Sequence, residues 1–150
     1  ELESPEYPLS LSTVREVGHY SVRTMTGNCR LLADLADEPG YIQMNPEDCQ
    51  ELGIANGDLV RVVSKRGHTI TRCQETDRVS KGATYMTYQW WVGACNELTS
   101  AALDPKSHTP EFKYCACRVE KIDDQKQAGR DVKAQYTAIR SRMGIEVKEV

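Results

Sequence analysis

Positive charge is not in excess in this chain. Nineteen lysines and arginines stand against 22 aspartates and glutamates, a formal net charge of −3. That argues against a nucleic-acid footprint made by bulk charge and leaves only local basic clusters. Long apolar runs are missing too. None approaches the roughly 20 residues that cross a bilayer, so no direct membrane insertion is expected. The opening stretch, ELESPEYPLS, has neither a basic segment nor an apolar one, so it does not read as a secretory signal. It is polar and broken by proline, and residues 1–6 read as a linker from upstream domains of a longer polypeptide.

Recognisable catalytic and metal motifs are scarce as well. Six cysteines (29, 49, 73, 95, 115, 117) include no CxxC pair, and the three histidines (19, 68, 108) are scattered. A zinc site would need two close pairs, or one pair with histidines at finger-like spacing. The thiols are read as reduced and mostly buried, which fits a cytoplasmic, anaerobic setting. G-x-S-x-G, G-x-G-x-x-G and G-x-x-x-x-G-K-[ST] are all absent, so the local signatures of a serine hydrolase, a dinucleotide fold and a P-loop are missing. Carboxylates are numerous, yet no pair stands out. No catalytic residue and no metal ligand is assigned.

What is present is a β-rich pattern. Apolar residues make up 39% and charged residues 27%, the balance of a folded soluble domain. YPLSLST (7–13) alternates as a half-buried strand should. NCRLLADLADEPG (28–40) predicts a short helix capped by Asn28 and stopped by Pro39-Gly40. YIQMN (41–45) is a short strand. NPEDCQELG then marks a small helix, with Asn45 as cap, Pro46 at the first helical position and Gly53 at the left-handed exit. Strands follow at 59–63 and 69–73 around a Lys65-Arg66-Gly67 turn read as a solvated hairpin tip. Two more are expected within 81–91 and 111–122, the latter with Phe112, Tyr114 and Ala116 on one face and Cys115, Cys117 and Val119 on the other. After residue 123, Val132, Tyr136, Ile139 and Met143 form the stripe of an amphipathic helix. Short strands at turn-marked spacing, with small helices between, suggest a closed β barrel.

Three polar clusters do not look like packing. The first, STVREVGHYSVR (12–23), carries Arg15, Glu16, His19 and Arg23 without clean alternation. The second, TYQWWVGACNELTS (87–100), sets Tyr88, Gln89, Asn96 and Thr99 around two tryptophans. The third, HTPEFKY (108–114), supplies Lys113. All fall at strand ends or loops, where binding groups concentrate. Arg15, Arg23 and Lys113 suit an anion. Glu16, His19, Gln89 and Asn96 suit the donor–acceptor edge of a heterocycle, and Tyr88 with the tryptophans suits the walls of a slot. Each also has a plainer reading. Arg15–Glu16 can be a surface ion pair of little weight, His19 a buried hydrogen-bonded residue, and Trp90-Trp91 simple core.

The strings YPLSLSTVREVGHYSVRTMTGN, GATYMTYQWWVGACNELT and TPEFKYCACRVE resemble the C-terminal domain of molybdopterin-dependent formate dehydrogenases, in the DMSO reductase family. The resemblance covers nearly all of residues 7–122. It implies a mainly β fold with small helices, a six-stranded double-psi β barrel at 7–122; the tail at 123–150 is read as helical from its apolar stripe. It implies a bis(molybdopterin guanine dinucleotide) cofactor with molybdenum or tungsten, held jointly with upstream domains. It maps cofactor contacts onto Thr13, Arg15, Glu16, His19 and Ser21, onto Tyr88 and Gln89, onto Asn96 and Thr99, and onto Lys113. Phe112 stands where the pattern has tyrosine, which removes a hydroxyl. The metal-ligating chalcogen, the catalytic residues and a [4Fe–4S] cluster belong to upstream domains of the parent. This chain alone is therefore expected to be inactive, as a fragment of an oxidoreductase that oxidises formate to carbon dioxide. Electron-transfer or hydrogenase subunits are the parent's expected partners. Two rival readings remain: a sister enzyme such as nitrate reductase or formylmethanofuran dehydrogenase, and a non-enzymatic double-psi barrel that binds proteins. The latter should show an exposed apolar groove.

Overall fold

A computed structural model describes residues 1–33, 35 and 38–144. The alternation of leucine with serine becomes β1 (Leu9–Val14), whose leucines point inward. The other strands are β2 (Tyr41–Met44), β3 (Leu59–Ser64), β4 (Gly67–Glu75), β5 (Ala83–Thr87) and β6 (Cys115–Lys121). They close in the order β1-β5-β2-β4-β3-β6. β1 with β5 and β2 with β4 run parallel, and the remaining pairs are antiparallel. Closure leaves no unpaired strand edge. This is the six-stranded double-psi barrel expected from the sequence. Leu11, Ile42, Met44, Val60, Val62, Met86, Cys115 and Cys117 fill its interior.

Local chemistry sets the small helices. In α2 (Pro46–Leu52) the Asn45 side chain accepts from the Glu47 N–H at 2.9 Å, and Gly53 exits at φ 64°. The helix predicted over 28–40 is much shorter. Asn28 belongs to a 3-10 turn, Thr26–Asn28, and its amide donates back to the Thr24 carbonyl at 2.6 Å. That amide serves the turn rather than a helix start, and α1 is a single turn, Arg30–Ala33. Residues 34, 36 and 37 of that expected helix lie outside the described residues.

Residues 1–6 touch the barrel through the side chains of Glu1 and Glu3. Glu1 pairs with Arg66 at 2.6 Å, and the Tyr114 hydroxyl donates to the Glu3 carboxylate at 2.8 Å. Arg66 is accordingly no solvated tip, because its guanidinium also donates to the Leu98 carbonyl at 2.8 and 3.0 Å. The hairpin loop itself is Lys65-Arg66, since Ser64 already pairs with Gly67. Phe112 and Tyr114 precede β6 rather than belong to it, while Cys115, Cys117 and Val119 face inward as expected.

The tail forms α3 (Gln125–Arg142) and packs on the barrel wall. Ala128, Val132, Tyr136 and Ile139 meet Leu59, Ile70, Val92 and Ile122. Met143 does not extend the stripe: the helix has ended, and the side chain is 58% exposed. Residues 145–150 of the expected tail lie outside the described residues. Among the described residues no helix is long and apolar enough to cross a membrane.

Gln125 docks the helix by imitating a strand. Its Oε1 accepts from the Leu59 N–H at 2.7 Å, and its Nε2 donates to the carbonyls of Leu59 and Ile122 at 2.9 and 2.7 Å. Gln125→Ala would leave those backbone groups without their partner, at a cost of about 2 kcal/mol. Urea denaturation measures this, and an unchanged midpoint would mean that water replaces the amide freely.

Candidate functional site

The barrel's registers decide where the polar clusters meet. Val14 at the end of β1 lies opposite Thr87 at the end of β5, and the two strands are parallel. Arg15 and Tyr88 therefore leave the barrel side by side. Arg15 Nε donates to the Tyr88 hydroxyl at 2.9 Å. β6 runs antiparallel to β1, with Leu11 opposite Cys115, so the chain entering β6 arrives at the same end. There the Thr13 N–H donates to the Phe112 carbonyl at 3.2 Å, and Lys113 Nζ donates to the Thr13 carbonyl.

The result is a concavity of about 710 Å³ walled by Thr13, Val14, Arg15, Ser21, Val22, Tyr88, Asn96, Phe112 and Lys113. Two cations, an amide and hydroxyls share it with apolar faces from Val14, Val22 and Phe112. Six of the ten residues proposed from the sequence are thus together: Thr13, Arg15, Ser21, Tyr88, Asn96 and Lys113. Val14 and Val22 were missed; apolar residues beside a polar cluster carry no signal that separates wall from core.

The other four lie off this wall. His19 is buried. Its Nδ1 lies 3.1 Å from the Thr26 hydroxyl, its ring stands edge-on to Trp90 at 6.1 Å, and its Nε2 has no partner. Gln89 is 2% exposed, and neither amide atom has a partner. Glu16 is half-buried and near enough to Tyr41 to add to the effect of burial in pushing that phenol's pKa up. Thr99 is buried and donates to the Asn96 carbonyl at 3.0 Å, which pins the loop that presents Asn96.

Arg23 and the tryptophans do not take the parts first suggested for them. Arg23 forms an ion pair with Glu38, with both side chains 10% exposed, and its Nε donates to the Gln89 carbonyl at 2.9 Å. Its charge is already matched, so it is not an anion receptor. Trp90 is core: its Nε1 donates to the Thr87 hydroxyl at 2.7 Å. Trp91 stacks on Tyr136 of α3, with centroids 5.8 Å apart. Neither indole walls the concavity.

Close backbone approach fixes these segments. A Cβ on Gly40 would overlap the Trp90 indole, and one on Gly93 would lie 2.5 Å from the Pro39 carbonyl and 2.7 Å from that of Ile70. Both glycines also have positive φ, 74° and 76°.

The cysteines take no part. Among the described residues no group of His, Cys, Asp and Glu could hold a metal. Cys49, Cys73, Cys95, Cys115 and Cys117 are buried free thiols, while Cys29 is exposed. Burial pushes the Cys117 thiol up to about 12, so it stays protonated.

Residues 9–116 match the family model for the molydopterin dinucleotide binding domain. The chain belongs to that family. This molydopterin dinucleotide binding domain is 59% identical over 138 residues to formate dehydrogenase H of Escherichia coli (strain K12), covering 92% of this chain and 19% of that protein. It is 45% identical over 122 residues to the F420-dependent formate dehydrogenase 2 subunit alpha of Methanococcus maripaludis, covering 81% of this chain and 18% of that subunit. A nitrate reductase of Symbiobacterium thermophilum is 36% identical over 125 residues, with 81% and 16% covered. Among solved structures, acetylene hydratase from Pelobacter acetylenicus superposes with a TM-score of 0.67 at 19% identity, covering 78% of this chain and 19% of that one; this likeness concerns the fold. The domain thus spans about a fifth of the length of the curated relatives it matches.

Two outcomes follow from the packing around the site. Gly93→Ala forces a left-handed residue against two carbonyls and should cost about 3 kcal/mol of stability; a melting point within one degree of the wild type would rule out the close approach. His19 should titrate below the usual imidazole range, because burial and then the Arg23 charge disfavour its cation. Its contribution to stability is complete above the ordinary pKa near 6.5 and is lost as pH falls through the lower native value. Imidazole C–H resonances followed by NMR give the sign directly, and a raised pKa would contradict it.

Proposed function

We propose that the concavity holds one end of a bis(molybdopterin guanine dinucleotide) carrying molybdenum or tungsten, as part of a formate-oxidising enzyme. One observation carries the reading. Segments 13–22, 88–96 and 112–113, far apart in sequence, converge on a single hollow with two cations and several neutral hydrogen-bonding groups. The residues fit such a guest. Arg15 and Lys113 match the phosphates. Asn96, Tyr88, Thr13 and Ser21 offer donors and acceptors for heterocycle edges, and Phe112 with Val14 and Val22 offers apolar contact. His19 Nε2 and the Gln89 amide are buried polar atoms without partners, which a folded protein rarely tolerates unless something else satisfies them. Phe112 contributes ring and backbone contact, with no phenol to donate.

When bound, the metal–pterin group supplies the two-electron redox chemistry by which formate becomes carbon dioxide. This chain's part is to bind and orient that group with two cations, the Asn96 amide and hydroxyls. Upstream domains of the same polypeptide supply the metal ligand, the catalytic residues and a [4Fe–4S] cluster. Electron-transfer or hydrogenase subunits take up the electrons, in a cytoplasmic, anaerobic setting. Val17, Tyr20, Val22, Met25, Leu31 and Leu35, all in the crossover between β1 and β2, are more than half exposed, which supports packing of that face against the rest of the longer protein. Formate is favoured over nitrate because identity to the two formate dehydrogenases exceeds that to the nitrate reductase. A protein-interaction module is disfavoured, because the hollow sets two cations, an amide and hydroxyls beside its apolar faces.

The test is pterin retention in the full-length protein. Arg15→Ala and Lys113→Ala should each lower the pterin content of purified enzyme, since each removes a charge-assisted contact worth about 2 kcal/mol. Arg61→Ala, on the outer barrel wall, should not. Full pterin and metal content in both site variants would refute the reading.

A further inference from the structure

The Arg23–Glu38 pair is not part of the concavity's lining, yet it joins the segments that form it. Arg23 belongs to the crossover that carries Arg15, Ser21 and Val22. It sits at φ 64°, a conformation that non-glycine residues adopt only when their surroundings impose it. Its guanidinium lies 4.8 Å from the centre of the Trp90 ring and 5.4 Å from that of Trp91. One edge donates to the Gln89 carbonyl, and another to Glu38. Glu38 also accepts from the N–H groups of Trp91 and Val92 at 3.1 and 3.0 Å. The segment so held follows directly on Tyr88. On its far side Trp91 rests on Tyr136, with the Arg140 guanidinium 5.9 Å from the indole centre.

We infer that Arg23 and Glu38 are positioning residues: a buried clamp that sets the β1–β2 crossover against the loop after β5, and so fixes the separation of Ser21 and Val22 from Tyr88 and Asn96 across the concavity. The planar fork of Arg23 is required, because it serves a carbonyl, a carboxylate and two ring faces at once. Lysine is a point charge on a flexible stem and cannot. Glu38 is required as an acceptor of two backbone N–H groups and as the counter-charge. Removing either partner leaves the other buried and uncompensated. The clamp is a property of this chain alone; its effect on a guest rests on the functional reading given above.

The chain's two tryptophans, Trp90 and Trp91, both lie under Arg23, so their fluorescence reports the clamp directly. The experiment compares this chain with Arg23→Lys, Arg23→Met and Glu38→Gln, using the exposed Arg61→Gln as control. Tryptophan emission and amide hydrogen exchange are measured on each. The clamp variants should show shifted emission and exchange faster by about tenfold or more in residues 15–27 and 88–92, with β3 and β4 still protected. Arg23→Lys should resemble Arg23→Met rather than the wild type. Glu38→Gln keeps one of the two acceptor oxygens and the side-chain shape while removing the counter-charge, so it decides the matter should Arg23→Met fail to fold. Loops as protected as in the wild type, in folded Glu38→Gln and Arg23→Lys, would overturn the clamp. In the full-length protein, Glu38→Gln should lose pterin faster than the wild type although every lining residue is intact; equal loss would overturn the positioning role. Failure of the functional reading looks different, because it appears as full pterin content in Arg15→Ala and Lys113→Ala whatever the exchange arm shows.

Discussion

The parallel pairing of β1 with β5, with Val14 opposite Thr87, is the constraint on which the site depends. Parallel neighbours end on the same side, so two crossovers that begin 73 residues apart start from adjacent points. The antiparallel pairing of β6 with β1 brings a third segment to that place. A one-residue slip in either pairing would turn Leu9 and Leu11 out of the core. The hydrophobic register that stabilises the barrel is therefore the same register that places Arg15 beside Tyr88 and Lys113 beside Thr13. Stability and site geometry cannot be varied independently here.

Barrel closure has a second consequence. Each of the six described strands has a neighbour on both sides, so recognition falls to loops rather than to a free strand edge. Long loops lose much entropy on ordering, and these are tied at many points. Thr87 accepts from Trp90 Nε1 and from the Tyr41 N–H, and donates to the Tyr41 carbonyl. The absence of a side chain at Gly40 and Gly93 lets Trp90 and the turn at Pro39 close on each other. Thr99 and Arg66 hold the segment around Asn96 through the carbonyls of Asn96 and Leu98. Residues that do not face the hollow thus fix those that do.

That division explains what was legible in the sequence. Alternation gave the strands, and Asn45, Pro46 and Gly53 gave α2, because both signals are local. The charged heads of Arg15 and Lys113 and the ring of Tyr88 stood out because they sit just beyond strand ends, where packing does not need them. The partner of Arg23 was not legible. Glu38 lies 15 residues away in a turn, and nothing periodic links the two. Asn28 was misread because an Asn amide suits a turn as well as a cap, and only the fold decides which it serves. Arg66 was taken for a hairpin tip because Leu98 and Glu1, its partners, are remote in sequence.

The buried polar atoms complete this logic. His19 and Gln89 sit beside Trp90 and Arg23 with hydrogen-bonding capacity unspent. Leaving a buried donor or acceptor unmet costs about 1–3 kcal/mol, and replacing either residue by an apolar one of similar size would remove that cost at no loss of shape. A fold selected for stability alone would have made the exchange. The retained imidazole and amide, set behind a hollow lined by Arg15 and Lys113, are what a binding surface needs if part of its hydrogen bonding is completed by something outside this chain.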